Sequence, residues 1–93
     1  MTMHALQWAM DIEGLLPIEK LVLIGLAERS GRDFETGQVV ATASVEEMAC
    51  FACCSCDLAA ETLNNLLMVR VIGPGVDNEY PLLVGKHPAE VSR

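Results

Sequence analysis

The feature that most limits what this chain can become is the stretch from Ser44 to Ile72, SVEEMACFACCSCDLAAETLNNLLMVRVI. Glu47 follows Ser44 by three residues. At that spacing a serine and a glutamate side chain each satisfy the other's free backbone N–H at a helix start. Val45, Met48, Ala49 and Ala52 recur at helical spacing and give this first helix an apolar stripe. A tight turn is expected near Cys53-Cys54. Ser55 is placed to cap a second helix, with Leu58, Ala59, Thr62, Leu63, Leu66 and Leu67 as its packing residues. Met68 to Ile72 then alternates as a strand does, Val69 and Val71 against Met68, Arg70 and Ile72. Gly73 to Asn78 is dense in turn residues, and Tyr80 to Val84 is a second apolar run. The two runs are expected to pair as a β-hairpin.

Two short helices and a hairpin need a partner layer, and the upstream half supplies it. Thr2 to Ile12 reads as a short helix with Ala5, Leu6, Ala9 and Met10 on its apolar side, Trp8 as core or lid, and Gly14 closing it. Leu16-Pro17 opens the next helix, because proline suits a first turn whose N–H has no partner anyway. That helix runs from Pro17 to Arg29. Ile18, Leu21, Val22, Ile24, Gly25 and Ala27 form its inner face, with Glu19, Lys20, Glu28 and Arg29 outside. Ser30-Gly31 ends it. Arg32 to Gly37 reads as a loop and Gln38 to Thr42 as a small strand. The expected architecture is mainly α with a small β-hairpin, one domain over residues 1–85 with a flexible tail at 86–93.

Charge narrows the functions open to such a domain. The formal net charge is −7 over 93 residues. No Lys or Arg occurs from Asp33 to Val69, while six residues there are Asp or Glu. Such a surface repels nucleic acid and anionic membrane and attracts basic partners. The amino terminus, MTMHALQWAM, lacks the basic and long apolar regions of a secretory signal, and no apolar run approaches the length of a membrane span. The protein is expected to be cytoplasmic, and its four cysteines to be free thiols.

ALQWAM, LPIEKLVLIGLAERS, the capped helix with Met48-Ala49, and Ser55 opening a helix with Leu63 and Leu66 resemble the winged helix-turn-helix domain of phage and plasmid replication proteins and related small phage regulators. The resemblance covers roughly Ala5 to Ile72 and is most specific over Leu16 to Glu28. It implies a DNA-reading second helix, and there this chain departs. Cys53 stands where the family usually has the turn glycine, and a non-glycine residue at positive φ is uncommon. The outward positions are Cys56, Asp57, Ala60, Glu61 and Asn64, where the family commonly carries Arg, Lys, Gln or Thr.

Two functions follow as expectations. In the first, a small acidic phage or mobile-element protein presents the scaffold's converted face to a basic protein surface of host nucleic-acid-handling or defence machinery, as an anti-CRISPR-like inhibitor would. Asp57, Glu61, Asn64, Glu46, Glu47, Asp33 and Glu35 are its candidate contacts. In the second, the chain is a DNA-binding regulator or replication-initiation module that binds as a homodimer, with Ser55, Asn64 and Arg70 near the duplex. Neither calls for a cofactor, and no catalytic set of side chains is recognisable. Cys50, Cys53, Cys54 and Cys56 contain C-x-x-C spacings that serve metal binding or thiol exchange. With no second half-site in the chain, the preferred reading is small apolar side chains packed around the turn.

Overall fold

The computed structural model describes residues 3–32 and 37–84. Asp33, Glu35 and the expected tail at 86–93 lie outside the described residues. The elements run α1 (Met3–Asp11), α2 (Pro17–Glu28), β1 (Ser30–Arg32), β2 (Val39–Thr42), α3 (Val45–Ala52), α4 (Cys56–Met68) and β3 (Glu79–Leu82). The chain is thus mainly helical with a small antiparallel sheet, ordered β1-β2-β3.

The second helix is the hub. It packs against α1, α3, α4 and β2, and Val22, Leu23, Leu26 and Ala27 are fully buried. Helical spacing places Val22, Gly25 and Ala27 inside and Glu28 outside, as found, but misses at two positions. Glu19, expected outside, is buried, and Leu21, expected inside, is exposed. A helix with neighbours on several sides is apolar almost all round, so periodicity has little contrast to read. Glu19 has a local use: its Oε1 accepts the Leu16 N–H at 3.0 Å, satisfying a donor at the helix start beside Pro17. The other buried polar side chains are also bonded. Ser30 Oγ donates to the Ala27 carbonyl at 2.6 Å and Thr62 Oγ1 to the Leu58 carbonyl at 2.7 Å. Across α1, Ala5, Ala9 and Ile12 are buried and Trp8 lies half-buried against the core. Met10, expected to pack, is 53% exposed.

The capped pair forms as its sequence specifies. Glu47 N–H donates to Ser44 Oγ at 3.1 Å, and Ser44 N–H to Glu47 Oε1 at 3.2 Å. Leu58 N–H donates to Ser55 Oγ at 3.1 Å. Both helices then end on a left-handed residue that is not glycine, Cys53 at φ 55° and Arg70 at φ 62°. After α3, Cys54 N–H reaches the Ala49 carbonyl and Cys53 N–H that of Cys50. After α4, Val71 N–H reaches Leu66 and Arg70 N–H reaches Leu67. These nested bonds satisfy the carbonyls that a helix end leaves open. The turn keeps the form a glycine would give it, and Cys53 carries the strain.

The sheet differs most from expectation. Residues at Ser30–Arg32, read as a helix stop and loop, form β1, pairing Ser30 with Ala41 and Arg32 with Val39. The main neighbour of β3 is β2, from Val39↔Leu82 to Thr42↔Glu79. The expected Met68–Ile72 strand is not formed. Met68 is still helical, the left-handed Arg70 redirects the chain, and only Ile72 bridges to Leu82. Two hydrogen bonds flank that bridge, Gly73 N–H to Pro81 O at 2.8 Å and Leu83 N–H to Val71 O at 3.0 Å. The hairpin survives in shortened form. Its tip, Val76 to Glu79, is closed by reciprocal backbone bonds, with Asp77 and Asn78 both at positive φ. That is the two-residue turn whose twist matches paired strands.

Candidate interaction surface

The fourth helix divides sharply along its length. Ala59, Thr62, Leu63 and Leu66 face the core, while Cys56, Asp57, Ala60, Glu61 and Asn64 are exposed. Asp57, Glu61, Asn64 and Met68 follow at intervals of three or four residues, which stacks them along one strip of a helix. Asp57 and Glu61 hold its amino-terminal half. Asn64 Nδ2 lies 3.7 Å from Met68 Sδ, so the strip turns from acidic to apolar within two turns.

The apolar half continues across to the hairpin. Leu63, Asn64, Leu67, Ile72, Gly73, Gly75 and Tyr80 line a groove of about 200 Å³. Leu67 in this lining is 37% exposed, and Met68 and Val76, next in sequence to Leu67 and Gly75, are 57 and 67% exposed. A Cβ on Gly75 would stand 2.5 Å from the Tyr80 ring, so a glycine is needed for the loop to pass that close. The spacing of Leu58 and Leu67 suggests packing residues, but both are exposed. The groove escapes a sequence reading because it depends on where the hairpin folds back. Only the surplus of apolar residues on α4 signals it.

The other candidate residues are distributed differently. Glu46 and Glu47 lie exposed in the first turn of α3. Glu47 is already engaged, capping Ser44 and lying 3.7 Å from Arg29 Nε. Arg29 also covers the Phe51 ring at 5.5 Å, so α2 and α3 are tied where they meet. The Ser55 hydroxyl is occupied by its cap. Arg70 is exposed just beyond α4. The structure therefore brings Asp57, Glu61 and Asn64 together, and leaves Glu47 and Ser55 with structural work.

Cys50, Cys53 and Cys56, expected to pack around the turn, are exposed instead, and only Cys54 is half-buried against the core; all four are free thiols. Among the described residues no three His, Cys, Asp or Glu side chains are gathered so as to hold a metal ion. No described helix is long and apolar enough to cross a membrane. Comparison with protein families, with curated proteins and with solved structures gave no match.

Proposed function

We propose that this chain is a winged helix-turn-helix protein without catalytic activity. In this reading the outer face of α4 binds a basic protein surface in the cytoplasm, and the chain acts as a small phage or mobile-element inhibitor of nucleic-acid-handling or defence machinery. The single observation that carries this is the strip of Asp57 and Glu61, exposed where such a scaffold would present cations to phosphate. Phosphate neutralisation supplies most of the affinity in nucleic-acid binding. Two carboxylates in that place oppose a duplex and steer a Lys- and Arg-rich surface inward. The element order, the three-residue turn between α3 and α4 and the hairpin after α4 support the scaffold.

Asn64 and Arg70 favour the second reading, a DNA-binding regulator, since Asn64 is exposed within this strip and Arg70 just beyond α4, and asparagine pairs well with adenine. Selection of random duplexes against the purified protein at physiological salt separates the two. We expect no enriched sequence and retention no tighter than about 10⁻⁴ M, the weak end of non-specific binding. An enriched duplex held tightly would overturn the proposal and install the DNA reading.

A further inference from the structure

The groove beside the acidic strip points to a defined partner chemistry, an inference that rests on the protein-binding reading above. We infer that the occupant is an exposed segment of a partner protein carrying Lys or Arg and, a fixed distance away, one large apolar side chain. The basic residues meet Asp57 and Glu61, and the apolar side chain enters between α4 and the hairpin.

Three observations narrow the occupant. At about 200 Å³ the groove is smaller than the roughly 300–1,000 Å³ of small-molecule sites, so it suits one side chain rather than a cofactor. Its walls at Leu63, Leu67, Ile72 and Tyr80 are apolar, and of these Leu67 is exposed. Its open neighbour on α4 is anionic, which disfavours nucleic acid and anionic lipid. A second copy of this chain, at a formal −7, brings the same charge to the same place and is disfavoured too. A basic segment with an apolar anchor satisfies both halves.

The helix also sets the spacing. The centre of the acidic pair lies about six residues from the centre of the groove-lining stretch of α4, about 9 Å at 1.5 Å per residue. An extended chain advances about 3.3 Å per residue. The basic pair and the anchor are then separated by about three residues.

The probe is a synthetic acetylated peptide with Arg-Arg, two small polar residues and then Leu. It is titrated into the ¹⁵N-labelled 93-residue chain and followed by amide shifts and affinity. Its controls replace the Leu by Ala, or both Arg by Glu. Burying a leucine stabilises by about 1.5–3 kcal/mol, so the alanine control should bind at least about tenfold more weakly. Leu67→Ser in the protein should weaken the parent peptide by a similar factor, its spectrum otherwise native. Shifts should map to α4 and to residues 72–80.

If binding is indifferent to the Leu and to Leu67→Ser but is lost in Asp57→Lys/Glu61→Lys, the groove inference fails and the acidic-face reading stands. If no peptide binds up to millimolar concentration, the inference fails outright, and the acidic-face reading is then decided by duplex selection and partner capture.

Discussion

Helices α2 and α4 are nearly the same length, 12 and 13 residues, yet they answer to different constraints. The first is enclosed by α1, α3, α4 and β2, and half of its residues are buried. The second is held by one stripe, Ala59, Thr62, Leu63 and Leu66. Asp57, in its first turn, also favours the helix start, but no core packing requires Glu61 or Met68 on its other side. Residues that the fold does not require are where function can be sought, which is why the enclosed helix speaks about architecture and the half-exposed one about partners.

The largest test of that contrast is a pair of truncations. Leu23→Ala on α2 should cost about 2–5 kcal/mol, the usual range for emptying a close-packed site. Glu61→Ala on the outer side of α4 should stay within about 0.5 kcal/mol. Urea unfolding of both variants checks this, and comparable losses would mean that the outer side of α4 is structural.

Gly25→Ala tests how tightly α2 is enclosed. A Cβ there would meet the Phe51 ring at 2.7 Å. Overpacking typically costs about 1–3 kcal/mol, against about 1 kcal/mol gained in helix propensity. A net loss is expected by thermal unfolding; a gain would show that Phe51 yields freely and that α2 and α3 are loosely apposed.

The caps come next in size. Ser44→Ala and Ser55→Ala should each lower stability by about 1 kcal/mol, read from the shift in urea midpoint. Of similar size but opposite sign are Cys53→Gly and Arg70→Gly. Each relieves a left-handed residue of about 1–2 kcal/mol, offset in part by the greater freedom of glycine in the unfolded chain, so a gain below about 1 kcal/mol is expected. A loss at Cys53 would show that its side chain holds the turn by packing, which would sharpen the role of the cysteine cluster.

The parts of the fold legible in the sequence are those written in local chemistry. The pairing of Ser44 with Glu47, the cap at Ser55, Pro17 and the turn at Cys53 each act within a few residues, and each stands where its spacing places it. What was not legible depends on distant neighbours. Elements on several sides enclose α2, so Glu19 is buried and Leu21 exposed against their spacing, although Val22, Gly25 and Ala27 lie inside as expected. Strand β1 exists because β2 lies beside it, and Ser30-Gly31 carries no strand signal of its own. The Met68–Ile72 run alternates like a strand, but the helix-end bonds from Arg70 and Val71 to Leu67 and Leu66 claim its first residues. In the candidate surface, Asp57, Glu61 and Asn64 were legible from helical spacing alone. The groove beside them was not, because half of it belongs to the hairpin.

The central claim is that the acidic strip of α4 meets a basic protein. Capture from nuclease-treated lysate of the host cell tests it most directly, comparing the native chain with Asp57→Lys/Glu61→Lys, both confirmed folded. The account predicts a protein partner that resists nuclease, is retained by the native chain and is lost from the reversed one. A partner held equally by both, or one released by nuclease, would contradict it.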